Sequence, residues 1–68
     1  MELKLDFTAR VNLINQLCDL DFWTSIDTYD NRKNDNTRYE FYSNSRGLEI
    51  IINEGVSSEY NKVVFNWF

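Results

Sequence analysis

Few side chains in this 68-residue chain could do covalent chemistry: there is one cysteine, Cys18, there is no histidine, and a serine-acid triplet stands at Ser57-Ser58-Glu59. Nucleophilic catalysis by serine or cysteine needs a general base within hydrogen-bond reach, and without histidine only lysine or a carboxylate could serve. Serines in a polar stretch of this kind are ordinary turn residues. Two carboxylates acting as acid and base need a cleft and contrasting environments, and so small a domain leaves little room for a pocket of about 300 Å³. Cys18, beside Leu17 and near Leu20, is expected to be a buried, reduced thiol rather than a ligand or half of a disulfide. The composition therefore favours a protein that binds over one that reacts, with no cofactor.

Metal chemistry is weighed the same way. Asp27, Asp30, Asn34, Asp35 and Asn36 crowd one region, and oxygen donors suit calcium or magnesium. A calcium-binding EF-hand loop needs oxygen donors at alternate positions, a glycine at the sixth and a glutamate at the twelfth. Counting from Asp30, the third residue is Arg32 and the sixth is Asp35, so the pattern fails and a solvated turn is expected instead. Zinc lacks its usual sulfur and nitrogen donors. The two glycines, Gly47 and Gly55, both fall at turn positions, which leaves no glycine-rich phosphate loop.

Eleven acidic residues against seven basic ones give a net charge of −4. A field of that sign repels phosphate backbones and anionic headgroups, so direct nucleic-acid or membrane-surface binding is not expected. The one basic cluster, Arg32 and Lys33, is flanked by Asp30 and Asp35. No basic segment precedes an apolar stretch near Met1, and no run of apolar residues is long enough to span a bilayer. The expectation is a cytoplasmic protein of a bacterial host, complete from Met1. Nine asparagines fit an AT-rich coding sequence.

At this length the chain forms one domain over residues 1–68, and it buries only about 60% of the surface its unfolded form exposes. A marginal core makes help from a partner or a second copy plausible. The hydrophobic content of 43% and aromatic content of 16% are nonetheless too rich for a disordered chain.

The fold expected is α+β, with one N-terminal helix packed on a three- or four-stranded antiparallel β-meander. Residues 7–20 form the helix, with Phe7, Val11, Ile14, Leu17 and Cys18 as its apolar stripe, Arg10, Asn12 and Asn15 on the opposite side, and Asp6 or Thr8 as N-cap. Beyond Asp21 the pattern changes to alternation, with Phe22, Thr24, Ile26 and Thr28 on one side and Trp23, Ser25, Asp27 and Tyr29 on the other. A short helix over residues 20–26 is the alternative. The polar stretch from Asp30 to Asn36 is a connector, and further strands follow over 38–43, 48–53 and 61–68, separated by a turn at 44–47 and a loop at 54–60.

If the helix covers the face built from Phe22, Ile26, Tyr39, Phe41, Leu48, Ile50, Ile52, Val63, Phe65 and Trp67, the pleat puts Trp23, Tyr29, Tyr42, Ile51, Val64 and Phe68 on the other face. That second face is too apolar to be merely wet, so it is either partly buried by a curled sheet or a binding surface. The candidate contact residues are Trp23, Tyr29, Tyr42 and Phe68 as aromatic anchors, with Asp19, Asp21, Asp27, Asp30, Asp35, Glu40 and Glu49 as the acidic surround.

In length, charge and composition, the chain resembles the small acidic single-domain inhibitors that phages and mobile elements encode, anti-CRISPR proteins among them. The resemblance implies steric or mimicry-based blocking of a host nuclease or of its nucleic-acid groove. The partner implied is a host protein, such as a nuclease or a nucleoprotein complex. A net charge of −4 is mild for a DNA mimic. Two other classes fit the same surface: an immunity or antitoxin-like protein that masks a toxic enzyme, and a structural or adaptor module whose second face makes a homodimer.

Overall fold

The computed structural model describes residues 1–31, 33, 36–55 and 61–68. It is an α+β fold in which one helix, α1 (Phe7–Cys18), packs on a single antiparallel sheet of five strands. The strands are β1 (Glu2–Leu3), β2 (Ser25–Asn31), β3 (Asn36–Ser43), β4 (Leu48–Gly55) and β5 (Val63–Trp67). Their order is β1-β5-β4-β3-β2. Four of them form the expected meander, and the strand count rises to five because the N-terminal residues pair with β5, through Glu2 opposite Val64 and Leu3 opposite Val63. A two-residue strand has no periodicity to read, so only the pairing reveals it.

Asp6 is the N-cap of α1, its carboxylate accepting the Ala9 amide at 2.8 Å, and Asp19 is the C-cap. The helix is also turned about its axis from the expected phase, by roughly 60° at about 100° per residue. Arg10 and Leu17 are buried and Leu13 and Ile14 pack on the core, whereas Phe7 (65% exposed) and Cys18 face solvent. The reason is Arg10. Its Nε donates to Glu54 Oε1 at 2.7 Å, Nη2 reaches Glu54 Oε2 at 3.3 Å, and Nη1 donates to the Leu5 carbonyl. A guanidinium satisfied on both sides is tolerated at the sheet, and it draws its side of the helix inward in place of the Phe7-Cys18 flank.

The core comprises Leu17, Phe41, Ile50, Ile52 and Val63, with Leu5, Leu13, Ile14, Trp23, Tyr39, Leu48 and Phe65 packed around it. Most of the expected covered face is therefore in place. Ile26 and Trp67 are corrections, at 45% and 69% exposed. A helix with its side chains is about 10 Å across and strands lie about 4.8 Å apart, so one helix roofs roughly two to three of five strands and leaves the outermost ones bare.

Trp23 is a further correction, since it lies on the helix side of the sheet. Its Nε1 donates to the Leu17 carbonyl at 2.8 Å and its ring meets Phe41 with centroids 5.3 Å apart. Strand β2 begins only at Ser25, so the alternation that assigned Trp23 to the opposite face does not extend back to it. The segment 20–24 is neither strand nor helix. It is held by fully buried Ser43, whose hydroxyl donates to the Phe22 carbonyl at 3.1 Å, and by the Arg46 guanidinium 4.5 Å above the Phe22 ring.

The turn between β3 and β4 ends at Gly47, with φ +59°, where a β-carbon would collide with the Phe68 carbonyl. The Phe68 amide donates to the Gly47 carbonyl at 2.8 Å, which fixes the end of the chain against this turn.

Candidate partner-binding face

The face of the sheet turned away from α1 is built by strand parity. One row across it runs Glu2, Val64, Ile51, Glu40, Asp27. The row above runs Asn66, Glu49, Tyr42, Ser25, and the row below runs Asn53, Arg38, Tyr29. Because side chains alternate strictly along a strand, these residues share one surface, and no second layer of the described chain packs on it.

Apolar contact area lies at the centre of this surface. Ile51 and Val64 are direct cross-strand neighbours and both are half-buried. Above them the Tyr42 and Phe68 rings stack nearly parallel, at 13° with centroids 5.2 Å apart. An offset stack of this kind is worth about 1 kcal/mol beyond the area it buries, and it presents two flat rings as one platform.

Charge surrounds that area unevenly. Arg38 Nε lies 2.5 Å from Glu40 Oε2, and Lys62 Nζ lies 3.3 Å from Glu2 Oε1, so the cations gather toward the lower rows. Glu49 accepts a hydrogen bond from Asn66 Nδ2 at 3.0 Å, and neither it nor Asp27 forms an ion pair among the described residues. In the lower row the Asn53 Oδ1 atom is buried with no hydrogen-bond partner.

Of the residues singled out from sequence, Asp27, Tyr29, Glu40, Tyr42, Glu49 and Phe68 come together on this face. Asp19 and Asp21 are exposed, at the C-terminus of α1 and in the connector after it, in the opposite layer from this face. Asp30 pairs with Thr37 on the helix side, where Thr37 Oγ1 donates to its carboxylate at 3.4 Å. Trp23 packs on the core as described. Asp35, Arg32 and the Ser57-Ser58-Glu59 triplet lie outside the described residues.

Sequence reasoning did not select Glu2, Lys62 or Asn66 for this surface. Asn66 was within reach, because it lies two places from both Val64 and Phe68 on one strand pattern. Glu2 was not, since its place depends on β1. Among the described residues no group of three or more Cys, Asp or Glu side chains gathers as a metal site. No helix among the described residues is long and apolar enough to cross a membrane.

Compared with protein-family models, with curated proteins and with solved structures, the chain matches none of them.

Proposed function

We propose that this chain is a non-enzymatic, protein-binding inhibitor, of the phage-encoded anti-defence type that anti-CRISPR proteins exemplify. Its open sheet face would cover an electropositive surface of a host nuclease, the surface that otherwise takes nucleic acid. The supporting observation is the make-up of that face. The carboxylates of Glu2, Asp27, Glu40 and Glu49 surround an apolar centre topped by the Tyr42-Phe68 stack, on a sheet with no second layer among the described residues.

A flat surface of this kind meets a basic groove with complementary potential. The carboxylates steer the encounter and set the register, and the aromatic platform supplies the area that slows dissociation. Nucleic acid is then excluded by occupancy.

The test is affinity capture from the bacterial host with three baits: the wild type, Tyr42→Ala and Asp27→Lys/Glu49→Lys. The purified partner is then titrated against each. The expected result is a basic partner whose affinity falls by about 2 kcal/mol for Tyr42→Ala. For the charge-reversed bait, the association rate drops and its salt dependence flattens. Equal affinities and rates for all three baits would remove the open face from the function. If Tyr42→Ala unfolds the domain while the folded fraction binds as before, the ring belongs to the core and the reading fails.

A further inference from the structure

We propose that the outer edge of β2 is a strand-addition site for an extended partner segment bearing Lys or Arg at alternate positions. This rests on the proposed function and specifies how the partner docks.

The backbone is the first argument. Among the described residues β2 pairs with β3, and no described strand lies on its other side. Over residues 25–29, alternate backbone N–H and C=O groups therefore point outward from the sheet. An array of that form is satisfied in full only by a second extended backbone, which is the chemistry of β-augmentation. Edge strands are commonly blunted by lysine, proline or a cover, yet β2 reads Ser-Ile-Asp-Thr-Tyr-Asp-Asn and is exposed at every residue.

The side chains then select the occupant. Asp27 stands directly opposite Glu40, a like-charge cross-strand pair that is unfavourable by itself. Glu40 is taken up by Arg38 at 2.5 Å, while Asp27 forms no ion pair among the described residues. An added strand would place a side chain about 5 Å from Asp27 on its outer flank, where an ammonium or guanidinium completes the row. Two positions along the same face, the exposed Tyr29 ring offers a cation a second contact. The spacing of Asp27 and Tyr29 therefore calls for basic residues at alternate positions of the incoming strand.

A second copy of β2 is a poor occupant by the same chemistry. Each copy of the strand brings Asp27 to the open face and no cation beside it, so a β2-β2 seam would add like charge to that row.

The experiment follows amide hydrogen exchange by NMR on the full chain, with a seven-residue peptide of alternating Lys and Val as probe and its Glu/Val counterpart as control. At saturating basic peptide, alternate amides of β2 should slow by tenfold or more. The acidic peptide should slow none, and Asp27→Lys should abolish the effect while β4 amides keep their protection. Absence of β2 protection, or perturbation of the open face with β2 unchanged, would overturn the proposal, as would concentration-dependent protection without peptide, which marks self-pairing. The two readings separate on the captured partner. Binding that depends on Tyr42 and Glu49 but leaves β2 amides fast keeps the proposed function and discards edge pairing, whereas dependence on neither discards both.

Discussion

Strands β4 and β2 lie two places apart in one sheet, yet they live in different environments. β4 has neighbours on both sides, and α1 roofs one of its faces. Ile50 and Ile52 are buried there, and Glu54 holds the inward-facing Arg10. Among the described residues β2 has a neighbouring strand on one side, and it exposes all of its residues, Ile26 included. β2 is the more polar run, with Asp27, Asp30 and Asn31 against the three isoleucines of β4, yet composition alone does not expose Ile26. The difference comes from the width of a single helix against that of a five-stranded sheet, and it divides the molecule into a part that holds the fold and a part that the helix leaves exposed.

Phe41→Ala offers the largest test of that division, because its ring is fully buried between the helix and the sheet. Urea unfolding followed by tryptophan fluorescence should show a loss of about 3–5 kcal/mol, enough to unfold a domain this small. A loss below about 1 kcal/mol would mean that the core lies elsewhere.

Glu54→Ala comes next, since it strands the nearly buried Arg10 guanidinium without its carboxylate. The expected loss is about 3 kcal/mol, and the double replacement Arg10→Met/Glu54→Leu should recover most of it, because removing both charges also removes the desolvation cost. If the double variant is as unstable as the single one, Arg10 acts through packing of its methylenes and not through charge.

Gly47→Ala should cost about 1–2 kcal/mol, as an L-residue is strained at positive φ and the new β-carbon would push the Phe68 carbonyl away. The docked end of the chain carries Phe68, so the same change should loosen the Tyr42-Phe68 stack, read as a shift of the Tyr42 ring resonances. An unshifted ring signal would separate the stack from the turn.

Thr28→Ala, in the middle of β2, should change stability by less than about 0.5 kcal/mol. β2 amides should also exchange faster than those of β4, because few buried contacts hold that strand closed. Equal protection in the two strands would erase the contrast.

What could be read in the sequence follows the range of the interactions involved. The strand parity that sets Glu40 and Tyr42 on the open face and Tyr39 and Phe41 on the covered one is local, a consequence of alternation within eight residues. The helix and its Asp6 cap are local too. Arg10 was misplaced because its justification, Glu54, lies 44 residues away. Trp23 was misplaced because an alternating pattern was continued through a segment that a buried serine and a guanidinium hold in a non-strand path.

The amino-acid order by itself determined that there is one helix, a meander of strands with a turn at 44–47, a surplus of carboxylates, and a sheet apolar on both sides. Each follows from neighbours within a few positions, through periodicity, capping and turn chemistry. Only the tertiary structure decided which side of the helix turns inward, that the N-terminus adds a fifth strand, and that β2 is left bare at the edge. Those outcomes depend on pairings between distant residues and on how much sheet one helix can cover, and neither is written in any local stretch of the chain.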